Sequence, residues 1–374
     1  MIKVFILAVS LVLLFSSCKY EKKIKPSGKS VKIGILAPLS GKDKRYSLQS
    51  LAGINAALKM SPYLKNGDKI EFVIADTKSD ITATRKALFD LKAHNVKSII
   101  SFLGSDGLLE VSSTLKQNNI PILVTLATND NIPHLAKNIA QVCFDNNMQS
   151  LVAAHYIKDE KLITHVGVLY DRSNHYSFAL AKQFKKYYKS IGGTIDFYTN
   201  VKNEAEVKKI IKQKSEDTEF IYNTTSAATT LKLLQIIKHM SWDIDVLSGD
   251  GLLSSVIDLK KRHVSRLEGL YVTEHYAHNV LKSKKRMQLE KLLNKDGYKE
   301  SSYAFLAYDG YQLLQDALNK CKNYEIKCIT QEIRNSDVVN GSSGNFSMIN
   351  AKARREVYID KIHNGKLYKE IVTY

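Results

Sequence analysis

The feature that most constrains the fold is a repeated alternation of short apolar segments with amphipathic segments. It begins at Val31 and continues with little interruption to about Ser248. Short apolar runs between turn residues predict buried strands, and apolar residues at helical spacing between those runs predict helices. Buried strands joined by helices form parallel sheets. Because the alternation starts again at Thr164, the sequence predicts an α/β chain with two doubly wound parallel sheets.

The clearest β-α-β unit runs from Ser98 to Thr128, and both of its strands lead into small hydroxyl residues. In an open parallel sheet, a ligand binds outside the carboxyl ends of the strands. Free backbone N–H groups at a helix start attract an anion there. Ser105 and Thr128 are therefore candidates for binding a carboxylate. The alternative is that Ser105 or Asp106 only caps a helix and that Thr128 only belongs to a turn.

The first eighteen residues predict export. A short positive start precedes an apolar run, Val4 to Phe15, that is too short to span a bilayer comfortably, and small residues then precede Cys18. This pattern resembles a bacterial lipoprotein signal with Cys18 as the lipidated residue, and residues 19–30 then form a polar tether. No later run is long and apolar enough to span a membrane. We expect an extracytoplasmic protein held at the membrane by a lipid anchor.

Three cysteines remain after the signal. Cys321 and Cys328 lie seven positions apart at the end of one helical pattern, and an exported compartment permits a disulfide. The segment between them has no His and no second Cys pair, so a structural bridge is favoured over a metal site and over free thiols. Cys143 lies in an apolar segment and is predicted to be buried.

The formal net charge of +18 suggests two kinds of partner, nucleic acid and an anionic membrane surface. The lysines, however, are spread over most predicted helices and loops, and their clusters have no interleaved aromatic residues. We therefore interpret them as solvated faces and expect no nucleic-acid partner. Attraction to anionic lipid near the anchor is the alternative.

The common catalytic motifs are absent from the sequence. It has no Gly-x-Gly-x-x-Gly after the first strand, no phosphate-binding Gly-rich loop ending in Lys-Ser/Thr, and no His-Glu-x-x-His zinc helix. The run Gly341-Ser-Ser-Gly344 lacks the spacing of a nucleophile elbow. These observations predict a protein that is not an enzyme and that uses neither a cofactor nor a metal.

A binding site for a small zwitterion needs fewer groups. It needs an acceptor for the ammonium and donors for the carboxylate, on two surfaces that can close and exclude water. In Gly249-Asp250-Gly251, an acidic residue follows a predicted strand, and its flanking glycines let a ligand approach closely. The alternative is that Asp250 is the N-cap of a helix that starts at Leu252.

Five motifs, in order and at similar spacing, resemble the type I periplasmic binding proteins, in the leucine/isoleucine/valine-binding branch that serves ABC importers. They are Ile33 to Gly41, Gly104-Ser105, Ile120 to Thr128, Tyr170-Asp171 leading to Tyr176-Ser177, and Gly249-Asp250-Gly251. The resemblance implies two lobes with the ligand in the cleft between them. It also implies three crossings, near Phe144, Glu274 and Gly344. Lobe 1 is then 31–143 plus 275–343, and lobe 2 is 144–274 plus 344–374.

The resemblance also implies roles for single residues. Ser105 and Thr128 match positions that hold the ligand carboxylate, and Leu126 matches one that contributes through its backbone. Asp250 matches the acidic residue that pairs with the α-ammonium, and Tyr176 matches an aromatic residue in the cleft.

Two departures from the family pattern concern the substrate. Thr224-Thr225-Ser226 stands where the family often has an aromatic residue, so Ser226 is expected to enlarge the pocket or make it more polar. Asp106 directly follows Ser105 and would repel a carboxylate unless it points away or is neutralised.

The function implied by the resemblance is capture of a small amino-acid-like ligand and its delivery to an ABC permease. Binding should stabilise the closed form of a hinged pair of lobes. The alternative is a ligand sensor of the same fold that signals to a membrane receptor. A transcription regulator is disfavoured, because no helix-turn-helix precedes Val31.

Overall fold

The computed structural model describes residues 24–201, 203–212, 216–256, 267–277, 282–364 and 366–370. The predicted signal segment and its lipidation residue, Cys18, lie outside the described residues. Within the described ranges, every helix is too short or too polar to cross a membrane.

The described residues form fifteen strands. In chain order these are β1 Ser30–Ala37, β2 Lys69–Asp76, β3 Ser98–Ser101, β4 Ile122–Val124, β5 Ile139–Gln141, β6 His165–Tyr170, β7 Thr194–Asn200, β8 Phe220–Asn223, β9 Asp245–Ser248, β10 Leu270–Glu274, β11 Ser336–Asn340, β12 Asn345–Ile349, β13 Lys352–Arg354, β14 Tyr358–His363 and β15 Lys366–Glu370.

The same ranges contain twelve α-helices. They are α1 Lys44–Met60, α2 Ile81–Ala93, α3 Ser105–Glu110, α4 Ser112–Gln117, α5 Asn146–His155, α6 His175–Ser190, α7 Glu204–Lys212, α8 Ala227–His239, α9 Leu252–Val256, α10 Lys284–Lys295, α11 Ser302–Lys320 and α12 Ile326–Arg334. A π-helical turn, Tyr156–Glu160, extends α5.

The strands form two separate sheets. The first has the order β11-β12-β13-β5-β4-β3-β1-β2, and the second has the order β15-β14-β10-β9-β8-β6-β7. In the first sheet, β1 to β5 are all parallel, and in the second β6 to β10 are all parallel. The central strands β3, β4 and β8 are fully buried, as expected where helices cover both faces of a parallel sheet. This architecture confirms the predicted fold class.

Close packing of two helices in the first lobe explains why position 53 is a glycine. Helices α1 and α11 pack against each other, and a side chain at Gly53 would place a Cβ atom 2.1 Å from the backbone oxygen of Ala304. The contact therefore requires a residue without a Cβ atom. It fixes the start of α11, which carries a residue of the cleft described below.

The third passage between the sheets occurs later than predicted. Strands β12 and β13 belong to the first sheet, and Gly344 lies inside that sheet's β11–β12 connection. Asn350 and Ala351 have positive φ angles of 51° and 69°, as in the tight turn of a hairpin, and the Gln141 N–H donates to the Ala351 carbonyl. The hairpin thus extends the edge at β5. The assignment of residues 345–354 to lobe 2 was wrong, and the chain crosses between Arg354 and Tyr358.

Cys321 and Cys328 form a disulfide that connects the end of α11 to α12, with their Cα atoms 5.7 Å apart. This is the pairing that the sequence favoured. Cys143 is buried and free, and burial raises the pKa of its thiol well above the ordinary value.

Candidate ligand-binding site

A cavity of about 360 Å³ lies where the carboxyl ends of the two parallel sheets face each other. The first lobe contributes the residues that follow β3 and β4, including Ser105 and Leu126. The second lobe contributes Tyr176 near the start of α6 and Asp250 just after β9. Four residues singled out from the sequence therefore line one cavity.

Two sets of contacts join the lobes beside the cavity. In the first, the Asp106 carboxylate accepts hydrogen bonds from Asn174 Nδ2 and from the His175 N–H, each at 2.7 Å. In a second contact, the Tyr303 hydroxyl at the start of α11 donates to the Gly251 carbonyl at 3.0 Å. The structure therefore has the two lobes in contact around the cavity.

The Asp106 contact bears on the repulsion expected between this acid and a ligand carboxylate. Its carboxylate lies at the first turn of α6, where the helix macrodipole stabilises negative charge. Two donors use its oxygens, so part of its charge is compensated by the opposite lobe.

Asp250 is the most highly coordinated acid of the cavity. Its carboxylate accepts hydrogen bonds from Gln149 Nε2 at 2.8 Å and from the Tyr176 hydroxyl at 2.9 Å, with His275 Nε2 at 3.4 Å. The Asp250 N–H donates to Gln149 Oε1 at 2.8 Å. An N-cap carboxylate would instead accept from backbone N–H groups of the following helix. The observed geometry therefore favours a role in the cleft over the capping alternative.

The side chain of His275 contacts the Asp250 carboxylate and helps to hold it in place. Its ring stacks on Phe144 with centroids 3.5 Å apart, and its side chain is 1% exposed. Burial lowers the pKa of His275, which favours the neutral imidazole. Since a carboxylate offers only acceptors, Nε2 carries the hydrogen toward Asp250. His275 and Gln149 were not predicted from the sequence to belong to the site, although His275 directly follows β10.

Thr128 does not line the cavity. It is 1% exposed, and its hydroxyl has no hydrogen-bond partner among the described residues. Its carbonyl accepts a hydrogen bond from the Asn146 N–H at 2.7 Å, close to the first passage between the sheets. Ser105 Oγ accepts from the Asn129 N–H at 3.2 Å, so Ser105 connects the cavity wall to the segment that follows β4.

Ser226 has a different role from the one expected. Its hydroxyl oxygen accepts a hydrogen bond from the Thr229 N–H at 3.3 Å and so caps α8, and it lies outside the residues that line the cavity. Thr224 is buried, and its hydroxyl donates to the Ser177 carbonyl at 2.9 Å. The predicted enlargement of the pocket by Ser226 is therefore corrected to a capping role.

Two further tyrosines of the cavity were not predicted. The rings of Tyr46 and Tyr303 lie 5.5 Å apart and both line the cavity. Burial raises the pKa of both hydroxyls, so they are protonated at neutral pH. In the sequence they lie within helical patterns, where an aromatic residue usually indicates core packing. Among the described residues, no group of three or more His, Cys, Asp or Glu side chains could hold a metal ion.

A family model described as a periplasmic binding protein matches residues 30–366, which is most of the chain. The chain belongs to this family. In the curated sequences, a Leu/Ile/Val-binding protein homolog 2 from Brucella abortus is 24% identical over 298 residues, covering 77% of this chain and 78% of the relative. These matches confirm the resemblance to the leucine/isoleucine/valine-binding branch.

Solved structures share the fold of this periplasmic binding protein at low sequence identity. A leucine-binding protein LivK from Thermotoga maritima is 23% identical, with a TM-score of 0.79, covering 92% of this chain and 98% of that one. LivJ from Streptococcus pneumoniae in complex with isoleucine is 20% identical, with a TM-score of 0.79 and coverage of 92% and 100%. A solute-binding protein from Rhodopseudomonas palustris in complex with 3,4-dihydroxybenzoic acid is 18% identical, with a TM-score of 0.79 and coverage of 92% and 96%.

Proposed function

We propose that this protein is the extracytoplasmic solute-binding component of an ABC importer and that it captures a small amino-acid-like ligand between its lobes. The observation that carries the proposal is the Asp250 carboxylate, which is held by three side chains at the cavity between the two sheets. On this proposal the protein delivers a ligand to a permease, is not an enzyme, and has no nucleic-acid partner.

Asp250 suits an ammonium group. The groups that hold it are an amide, a hydroxyl and an imidazole whose pKa is lowered by burial, so no full positive charge among them neutralises the carboxylate. Its side chain is 11% exposed, and a charge in such a place is stabilised by an ionic partner. A ligand ammonium supplies that partner when the cleft is closed.

The ligand carboxylate has candidate donors on the opposite wall. Backbone N–H groups at the Gly104-Ser105 turn and the hydroxyl of Ser105 lie at the carboxyl end of β3. Leu126 lines the same wall after β4 and contributes through its backbone. Thr128 contributes only indirectly, because it fixes the segment that carries Leu126.

Two other functions use the same fold. Relatives from Rhodopseudomonas palustris bind hydroxybenzoates, which have a carboxylate and no ammonium. The acidic wall at Asp250 disfavours such anions. A sensor that signals to a membrane receptor would bind the same ligand, and it differs from an importer component only in the partner. Whether the purified protein stimulates a permease and ATPase pair in vesicles separates these two roles.

The proposal also includes the N-terminus of the mature protein and the boundaries of the two lobes. We assign Cys18 as the lipidated N-terminus of the mature protein, which mass spectrometry of the membrane fraction tests. We also assign 31–143 plus 275–354 to lobe 1 and 144–274 plus 355–374 to lobe 2, following the sheet membership of β11 to β13.

A thermal-shift screen tests the ligand class. Wild-type protein is compared with and without amino acids, amides, ureas and aromatic carboxylates. We expect amino acids to raise the melting temperature, because a ligand that binds only the folded protein stabilises it. A shift produced by hydroxybenzoates alone would refute the amino-acid assignment while leaving a solute-binding role.

A further inference from the structure

The described lining of the cavity has more acidic than basic side chains, whereas the whole chain has more basic ones. The chain has 55 Lys and Arg against 37 Asp and Glu. Among the described residues that line the cavity, five are acidic and Lys42 is the single lysine or arginine; the acidic ones are Asp43, Asp80, Asp106, Glu110 and Asp250. Clefts lined by one sign of charge concentrate ligands of the other sign. The described lining of the cavity is thus negatively charged, although the protein as a whole is positively charged.

The acidic residues differ in depth. Asp43, Asp106 and Asp250 are partly buried, whereas Asp80, Glu110 and Lys42 are exposed at the rim. Charges exposed to solvent are screened more strongly than partly buried ones. The three inner carboxylates therefore contribute more to the potential inside the cavity than the rim charges do, and Arg45, whose positive charge acts on the Tyr303 hydroxyl, opposes them in part.

Two of the inner carboxylates already have assigned partners. Asp106 binds the start of α6 in the other lobe, and Asp250 is assigned to the ligand α-ammonium. The third, Asp43, lies close enough to Tyr46 for its charge to help raise the pKa of the Tyr46 hydroxyl. Asp43 therefore remains as an inner negative charge that the α-ammonium does not use.

Aromatic rings surround the same space. Tyr46 and Tyr303 lie with their ring centroids 5.5 Å apart at the cavity wall, and Tyr176 lines it from the other lobe. The pKa of the Tyr46 hydroxyl is raised by burial and then by Asp43, and that of Tyr303 by burial and by Asp250. Aromatic faces attract cations, as carboxylates do. The tyrosines and acids thus favour the same kind of ligand group.

We propose that the ligand carries a second positive charge besides its α-ammonium, as in a diamino or guanidino acid such as lysine, ornithine or arginine. Asp43 and the Tyr46–Tyr303 pair receive the second cationic group, and Glu110 adds attraction at the rim. This inference rests on the proposed function, because it assigns Asp250 to the α-ammonium.

The test compares three ligands by calorimetry at neutral pH. L-lysine and L-norleucine share the same carbon chain, and only lysine has the terminal amine; 4-hydroxybenzoate has neither amine. We expect lysine to bind at least about tenfold more tightly than norleucine, which corresponds to about 1.4 kcal/mol. Norleucine binding as tightly as lysine would overturn the cationic ligand and leave the amino-acid function standing. Binding of 4-hydroxybenzoate alone would overturn both.

Two variants locate the second charge. Asp43→Asn removes the negative charge at nearly constant side-chain size, so we expect it to weaken lysine binding about tenfold while changing norleucine binding less than about twofold. Glu110→Gln, at an exposed position that tolerates substitution, should reduce the lysine preference by a smaller factor. The matched control is Asp90→Asn, an exposed acid on α2 that pairs with Lys86 outside the cavity. A lysine-to-norleucine ratio unchanged in both Asp43→Asn and Glu110→Gln would overturn the proposal.

Discussion

At the residue scale, the site depends on side chains that reach Asp250 from three separate segments. Gln149 lies on α5, Tyr176 lies on α6, and His275 follows β10. Gln149 both donates to the carboxylate and accepts from the Asp250 N–H, so it fixes the side chain and the backbone together. Thr273 also donates to Gln149 Oε1, at 2.5 Å. The carboxylate is thus held in place before a ligand arrives, which reduces the ordering cost of binding.

Glu274, next to His275, is a buried acid whose protonation state follows from its surroundings. Burial raises the pKa of Glu274 well above its ordinary value of 4.5, and the nearby Asp360 and Asp250 charges raise it further. One carboxyl oxygen is hydrogen-bonded by Ser302, and the other has no partner among the described residues. Glu274 is therefore held in its protonated form near the second passage between the sheets.

We expect Glu274→Gln to stabilise the unliganded protein at neutral pH. The folded state keeps the Glu274 proton, whereas the unfolded state loses it above about pH 4.5, so wild-type stability falls as the pH rises from that value. Each unit of pKa difference corresponds to about 1.4 kcal/mol. Urea unfolding should show a gain for the variant at neutral pH that disappears below about pH 4.5. Equal stabilities of the two proteins at neutral pH would contradict a protonated Glu274.

Sequence reasoning reached some of these residues and missed others for a physical reason. Asp250 and Ser105 follow strands directly, so a rule about strand ends finds them. The role of Tyr303 depends on the opposite lobe, where the Gly251 carbonyl accepts its hydrogen bond, and Gln149 reaches Asp250 from a helix distant in sequence. Helical spacing predicts which face of a helix is buried, but it carries no information about the neighbouring lobe. Thr128 matched the family motif, yet its side chain is buried behind the cavity wall.

At the scale of elements, the alternation of apolar segments predicted the parallel strands well. Buried β3 and β4 follow from continuous apolar runs, which fit only a sheet covered on both faces. The Asn364-Gly365 dipeptide is typical of a two-residue hairpin turn, and β14 and β15 on either side of it pair in antiparallel fashion. The hairpin of β12 and β13 was missed, because Asn350-Ala351 is not a typical turn pair and β13 has only three residues. The third crossing was therefore predicted one hairpin too early, near Gly344 instead of between Arg354 and Tyr358.

Ser226 gives a test at this scale, because capping and ligand binding predict different results. As the N-cap of α8, Ser226 is expected to contribute about 1 kcal/mol to the free energy of unfolding. Ser226→Ala should therefore lower stability by about that amount and leave ligand affinity unchanged, as measured by urea unfolding and calorimetry. Ser226→Asp, which restores an N-cap acceptor, is the matched control and should keep the wild-type stability. A loss of affinity in Ser226→Ala with unchanged stability would restore the pocket role expected from the sequence.

At the scale of the whole molecule, the two lobes meet around the cavity through hydrogen bonds. The Asp106 contact with α6 and the Tyr303 contact with Gly251 both join the two lobes beside the cavity. Near the third passage, Arg355 pairs with the fully buried Asp309 at 3.0 Å. Ser342 Oγ also donates to this carboxylate at 2.9 Å. The crossing is therefore fixed rigidly to the first lobe, while the cleft surfaces are joined by separable hydrogen bonds, as expected for a hinge that closes on a ligand.

The most direct test of the central claim is calorimetry of Asp250→Asn with whichever amino acid stabilises the wild-type protein most. Losing one member of a buried ion pair costs about 2 to 5 kcal/mol, so the variant should bind that ligand well over tenfold more weakly. Asp90→Asn, the exposed control on α2, should bind as the wild type does. If Asp250→Asn binds the ligand as tightly as the wild type, Asp250 is not the partner of a ligand ammonium and the assignment of the site is contradicted.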